Sequence, residues 1–299
     1  MNRKLDIVGV QIDLGASQKG VAMGPTAIRY AGLKAGLEKM DYEVRDKGDI
    51  IPLLHGDSRP DMLHYEQVID ANRRLYDEVY STLSEGRIPV VLGGDHSIAA
   101  GSISAVSKFY EDKGPIGVIW IDAHGDWNDN TTSRTGNMHG MPFSAVCGHG
   151  PDEMVDYGQK PHYVDVKHCV QVAGRDIDRL EIKKMKEAGM NTFPIYEIDK
   201  RGMYEVMQDA IRIASEGTVG IHLSFDVDAV DPAYAPGTGT PVYDGITARE
   251  AFLAAEMIAQ SGKLISMDMV EVNPILDEVN RTGILASSLI HSAFGESVY

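Results

Sequence analysis

Cysteine is scarce: Cys147 and Cys169 are the only two in 299 residues. A disulfide framework or a thiolate metal site needs more of them at regular spacing, so both are excluded. The pair reads as small buried hydrophobes in a reducing compartment. Basic residues are also few, 28 Lys and Arg against 44 Asp and Glu, for a net charge of -16. Nucleic acid and anionic membranes demand a basic surface to displace counterions, and this balance argues against both. It suits a cationic small substrate, although solubility alone explains it equally well. Long apolar runs are missing: none approaches the roughly 20 residues of a membrane span. Met1-Asn2-Arg3-Lys4 and the short run after it form no signal-peptide core or cleavage site, which places the protein in the cytoplasm. What remains, 43% hydrophobic and 24% charged residues, is the composition of a globular protein able to bury a large core.

Short apolar segments rich in β-branched residues recur along the chain. Leu5-Val10, Ile88-Leu92, Ile116-Ile121, Cys169-Ala173, Ile221-Phe225 and Leu264-Val270 read as strands covered on both faces. Helical patterns lie between them. Pro25 opens one, with Ile28, Ala31 and Ala35 on a single face. A second carries Val68, Leu75, Val79 and Leu83 before Gly86. A third starts on a capping box, Thr247 with Glu250, and runs through Phe252 and Met257 to Gly262. Alternating strands and helices imply a parallel sheet joined by right-handed crossovers. The segment from about Asn128 to Val164 is too long for an ordinary connection and reads as functional.

Three of the strands end in metal-ligand residue types: Gly93-Gly94-Asp95-His96, Asp122-Ala123-His124-Gly125-Asp126 and Asp226-Val227-Asp228. Taken singly, each has a plainer reading, as a tight turn, a loop or a helix cap. His139 alone is a loop histidine; His149, His162 and His168 read as satisfied or surface side chains. In an open parallel sheet, however, ligands bind beyond the carboxyl ends of the strands, and all three motifs fall there. His96, Asp122, Asp126 and Asp226 would surround one ion, and His124, Asp122, Asp226 and Asp228 a second, with two aspartates shared. An oxygen-rich shell with one imidazole per ion suits Mn2+ better than zinc. Without cations these carboxylates would repel one another and take up protons.

With these motifs together, the chain resembles the ureohydrolases, and within them the arginases. The likeness extends from Gly24-Pro25 through the three strand ends to Gly136-Asn137-Met138-His139-Gly140, Arg175-Asp176-Ile177-Asp178, Gly239-Thr240-Pro241-Val242 and Glu271-Val272-Asn273-Pro274. It implies a single ureohydrolase domain over 1–299, a three-layer α/β/α sandwich around a parallel sheet, with two Mn2+ per subunit. The implied reaction is hydrolysis of a guanidinium to urea. Asp126 would hold and relay the proton of the attacking water, Glu271 would pair with the guanidinium, and His139 would shuttle a proton to the leaving amine. Asn128 and Thr135 would hold an α-carboxylate; Asn137, Asp178 and Glu181 would face an α-amino group, with Thr240 also on the substrate side. That set implies L-arginine, giving L-ornithine and urea. Asp178 and Glu181 also suit a helix N-terminus.

Some positions depart from the pattern. Trp127 stands where a smaller apolar residue is common and is expected to narrow the pocket; Asp244 interrupts a Gly pair. Asp129 is expected to set a carboxylate beside Asn128, disfavouring arginine by ~1 kcal/mol unless Arg134 neutralises it. Such changes fit agmatine or guanidinobutyrate as the alternative substrate. A non-catalytic binding protein on the same scaffold would lack a ligand or His139, and none is missing. A homo-trimer or homo-hexamer is implied, with Arg249 and Glu250 where relatives make intersubunit ion pairs, though Glu250 has its competing capping role.

Overall fold

The computed structural model describes residues 4–158 and 160–297. Met1, Asn2 and Arg3, on which the reading of the N-terminus partly rests, lie outside the described residues. Eight parallel strands form one sheet: β1 (Lys4–Val10), β2 (Glu43–Ile50), β3 (Ile88–Leu92), β4 (Gly117–Ile121), β5 (Cys169–Val172), β6 (Asn191–Phe193), β7 (Ile221–Asp226) and β8 (Leu264–Val270). Their order across the sheet is β2-β1-β3-β8-β7-β4-β5-β6. Alternate residues feed two separate cores. Ile119 and Ile121 of β4 join one, and Val118 and Trp120 join the other. Helices α1 (Gly24–Tyr30), α2 (Leu33–Lys39), α7 (Ile195–Ser215), α8 (Ala248–Ser261) and α9 (Arg281–Ala293) cover the first face. Helices α3 (Tyr65–Ser84), α4 (Ala99–Tyr110), α5 (Pro142–Val146) and α6 (Arg179–Ala188) cover the second. The expected three-layer α/β/α sandwich is therefore the fold. Each fully buried Leu, Ile or Val in these layers contributes about 1.5–3 kcal/mol.

The six apolar strands form within a residue of their expected bounds, and two more strands appear at the edges. β2 is largely charged, its burial broken by exposed positions, and Arg45 turns back to bond Asp6. An edge strand is not covered on both faces, so neither β2 nor the three-residue β6 carries a continuous apolar run. The first helix also differs from expectation. Gly32, at φ 88°, ends one helix and starts another, so the inward face continues through Leu33 and Leu37 while Ala35 is exposed. The predicted helix from Thr247 forms as α8 with a complete capping box, and Gly262 closes it in the left-handed conformation.

Because every strand runs the same way, the loops after β3, β4, β7 and β8 meet at one edge. Gly94 lets two of them close up: a Cβ there would sit 1.7 Å from the Ile12 carbonyl oxygen. That same carbonyl accepts the Asp95 N–H at 3.0 Å. Asp95 then caps the turn that carries His96, accepting from the Ser97 N–H and from the Gly15 N–H. Among the described residues no helix is long and apolar enough to cross a membrane.

Candidate metal centre

The loop after β3 delivers His96, that after β4 delivers Asp122, His124 and Asp126, and that after β7 delivers Asp226 and Asp228. Two groups form. In the first, His96 Nδ1 lies 3.1 Å from Asp122 Oδ2, 3.1 Å from Asp126 Oδ2 and 3.2 Å from Asp226 Oδ2. In the second, His124 Nδ1 lies 3.4 Å from Asp122 Oδ1 and 3.0 Å from Asp228 Oδ2. Asp122 has one oxygen in each group. Asp226 Oδ2 stands in the first group, and its Oδ1 accepts the Asp228 N–H at 2.8 Å.

Hydrogen bonds from neighbouring residues fix His96, Asp122 and Asp228. His96 Nε2 is 2.9 Å from Ser224 Oγ, which turns Nδ1 toward the carboxylates, and its ring stacks on Trp120 at 4.0 Å. Trp120 Nε1 donates to Asp122 Oδ2 at 2.9 Å and the His124 N–H donates to Oδ1 at 2.6 Å. Gln171 Nε2 donates to the carbonyls of Asp122 and His124. Thr240 Oγ1 donates to Asp228 Oδ2 at 3.0 Å. Arg175 spans from the Asp228 and Ala229 carbonyls to that of Val242, tying the strand end to the next loop. Asp126 and Glu271 hold positive φ values of 48° and 62°. Such backbone costs about 1–3 kcal/mol and persists only where surrounding contacts fix it.

The electrostatics identify what these residues are built to hold. Burial and the neighbouring Asp122 push Asp126 up to about 6. Burial and the charges of Asp228 and Asp122 raise Asp226 well above the carboxylate range. Burial raises Asp228 as well. Asp122 moves the other way: burial opposes it, but His124 and His96 pull it down. His96 Nδ1 is buried and, despite three carboxylates within 3.2 Å, meets none with hydrogen-bonding geometry. A buried ring nitrogen facing three converging carboxylate oxygens, with none of them in hydrogen-bonding geometry, fits a divalent cation. The oxygen-rich donor set with one imidazole per group fits it chemically as well.

Beside this centre lies a cavity of about 390 Å³. One loop brings Asn128, Thr135 and Asn137 to it, and Asp178 and Glu181 face them from the start of α6, with His139 and Thr240 completing the wall. Asn137 Nδ2 donates to Ser17 Oγ. Burial raises Glu181 to about 7 although the Trp127 N–H works against it. Glu181 also completes a capping box with Asp178, so the helix-cap role foreseen for these acids is present together with their place on the cavity. Glu271 is not on the wall. It is 1% exposed behind His139, whose Nδ1 lies 3.1 Å from Oε1; its Oε2 is buried with no hydrogen-bond partner. Despite burial, this pairing and the charges of Asp126 and Asp95 lift His139 to about 9, above the ordinary imidazole value.

Two expectations are overturned. Trp127 does not narrow the cavity: it is 1% exposed and packs edge-on against Phe143 at 5.2 Å. Asp129 is neutralised by Lys184, not Arg134. Against its burial, this partner and the Thr131 hydroxyl hold Asp129 down at about 2. Asp244 takes the left-handed backbone, φ 61°, in place of a glycine. Arg249 bonds Glu256 of its own helix at 2.6 Å, and Glu250 caps that helix through Thr247. Cys147 and Cys169 are buried side by side, 3.7 Å between sulfurs. Sequence reasoning gave Ser224, Gln171, Lys184 and Ser17 no role. Gln171 carried a signal, as a lone polar residue inside the apolar β5 segment.

Fold and side chains together define a class: a parallel α/β/α protein whose carboxyl edge gathers imidazole and carboxylate donors beside a polar cavity. Comparison with known proteins narrows it to one family. The chain belongs to the arginase family, whose pattern it matches over residues 3–295. It is 45% identical to the arginase of Brevibacillus brevis over the full length of both. The solved arginase from Bacillus caldovelox is 42% identical with a TM-score of 0.95, the match covering 99% of this chain and 100% of that one. Entamoeba histolytica arginase, solved in complex with L-ornithine, is 30% identical with a TM-score of 0.89, covering 98% of each. Membership makes the protein a hydrolase acting on a guanidino group.

Proposed function

We propose that this protein hydrolyses L-arginine to L-ornithine and urea, using two Mn2+ held by His96, Asp122, Asp126, Asp226, His124 and Asp228. The observation that carries the reading is the pair of ligand groups sharing Asp122, set beside a cavity with hydroxyl and amide groups on one wall and carboxylates on the other. Two bound dications balance the four aspartates and lower the pKa of a water from 15.7 toward about 7, making a nucleophile available at neutral pH. Every other task falls to the chain. Asp126 takes the proton of the attacking water. Glu271, buried behind His139, favours the guanidinium through its charge without reaching the wall, and the water oxygen adds to the guanidinium carbon. Asp126 relays its proton to the substrate's chain nitrogen and takes the one left on the former water oxygen as the bond from carbon to that nitrogen breaks, leaving urea; His139 protonates the freed amine to give ornithine and regains a proton from Asp126. Asn128 and Thr135 hold the α-carboxylate; Asn137, Asp178 and Glu181 hold the α-ammonium. Thr240 works from the substrate side while keeping Asp228 in place.

Neutralisation of Asp129 by Lys184 removes the main charge argument for a decarboxylated substrate. Urea release from L-arginine, agmatine and 4-guanidinobutyrate, each with Mn2+, tests the reading. L-arginine is expected to win by ~10²-fold, because polar groups left unpaired penalise the analogues; comparable rates on agmatine would overturn it. The same reading carries a cytoplasmic homo-trimer or homo-hexamer, consistent with side chains such as Tyr30 (87% exposed) and Val279 (95%) standing bare on one chain. Light scattering on the purified protein decides that.

A further inference from the structure

Among the described residues Arg134 is the only Lys or Arg on the cavity wall, which also carries Asp126, Asp176, Asp178 and Glu181. Its side chain is 80% exposed, and Nη2 lies 3.6 Å from Asp178 Oδ1, beyond hydrogen-bonding distance. The other acid of this loop, Asp129, is already held by Lys184, so the charge of Arg134 meets only this loose pair. We propose that Arg134 is a specificity-determining residue that binds the substrate's α-carboxylate, and that its pairing with Asp178 is a placeholder exchanged for the zwitterionic head of the amino acid. The inference rests on the L-arginine reading above.

The charge pattern requires such a group. With Asp126 balanced by the bound cations, a carboxylate entering beside Asp176, Asp178 and Glu181 is still disfavoured unless a cation receives it, and the hydroxyl and amide groups of Thr135 and Asn128 carry no charge. Arg134 directly precedes Thr135 in the chain and supplies the planar fork that matches a carboxylate. When an α-amino acid enters, its ammonium takes Asp178 and its carboxylate takes Arg134, so one loose ion pair becomes two close ones. An exposed pair at 3.6 Å costs little to break. Agmatine brings no carboxylate and gains nothing from Arg134. Because the head group lies away from the reacting carbon, the interaction is the same in the ground and transition states and acts on KM, not kcat.

The test compares Arg134→Ala and Arg134→Lys with the unaltered Mn2+ enzyme. Arg134→Ala is expected to raise KM for L-arginine by about ten-fold with kcat within two-fold, and to leave KM for agmatine within two-fold. Calorimetric binding of L-ornithine, which has the same head group, is expected to weaken in parallel, and Arg134→Lys to recover part of the loss. Unchanged L-arginine KM and L-ornithine affinity in Arg134→Ala, or an equal rise in KM for agmatine, would overturn the proposal. Absence of urea from L-arginine with the unaltered enzyme would instead sink the functional reading beneath it.

Discussion

Asp122→Asn isolates the residue on which both ligand groups depend. The side chains are isosteric, so packing is kept, but the two oxygens of Asp122 each accept a buried N–H, from Trp120 Nε1 and from the His124 backbone. Asparagine has one acceptor and one NH2, so either orientation sets a donor against a donor. That loses one hydrogen bond to a charged group, about 1.5–3 kcal/mol, while one less carboxylate beside Asp126 and Asp226 returns part of it. The larger effect is on cation binding. An ion present at 100 times its Kd stabilises the folded state by about 2.7 kcal/mol, and at roughly 2 °C per kcal/mol for a chain of this size two ions raise Tm by about 10 °C. Unfolding scans with and without Mn2+, with the metal content of the dialysed protein, read both. Asp122→Asn should lose nearly the whole Mn2+-dependent rise, because each group loses an anionic oxygen. Asp228→Asn, which touches only the second group, should keep about half. Retention of two ions per chain by Asp122→Asn, or equal losses in the two variants, would refute the shared position of Asp122.

His139→Ala should leave Mn2+ content and Mn2+-dependent Tm intact while lowering kcat by about 10²-fold or more; loss of metal in that variant would move His139 out of the proton-donor role. Gly94→Ala forces a Cβ to 1.7 Å from the Ile12 carbonyl oxygen, a backbone atom held by its own hydrogen bond. It should cost at least about 2 kcal/mol in a denaturant titration. Lys184→Ala removes the partner that holds Asp129 near 2, below its ordinary 3.8. A depressed carboxylate contributes stability that is present above the unfolded value and lost as pH falls through the folded one. The stability difference between Lys184→Ala and the unaltered protein should therefore be constant above pH 4 and shrink between pH 4 and pH 2. For this partly exposed pair it should not exceed about 1 kcal/mol.

The parts of this molecule legible in the sequence are those where one physical demand acts alone. β4 and β7 are buried at every position, and β4 is free of polar side chains, so the acids closing these strands have no packing reason to be there. That contrast exposed Asp122, His124, Asp126, Asp226 and Asp228, and the capping box of α8 was as plain. β2 was hidden because an edge strand answers two demands, pairing on one side and charge against aggregation on the other, which erases the periodicity. The partners of Asp129 were hidden for a different reason: Lys184 lies on another element, and a chain of one dimension does not say which lysine will lean across a loop.

This difference between local and cross-element information also decides where specificity was readable. The metal ligands sit at strand ends, whose convergence follows from parallel topology alone. The head-group wall is assembled from the segment around Asn128–Asn137 and the start of α6, and its charge depends on which acid is neutralised by which base. By sequence, Asp129 set a carboxylate beside Asn128 unless Arg134 neutralised it. In space Lys184 silences Asp129, and Arg134 turns toward Asp178 at the cavity mouth. One exchanged partner changes the reading of the pocket from hostile to a carboxylate to equipped for one, without moving any residue that the motifs identify.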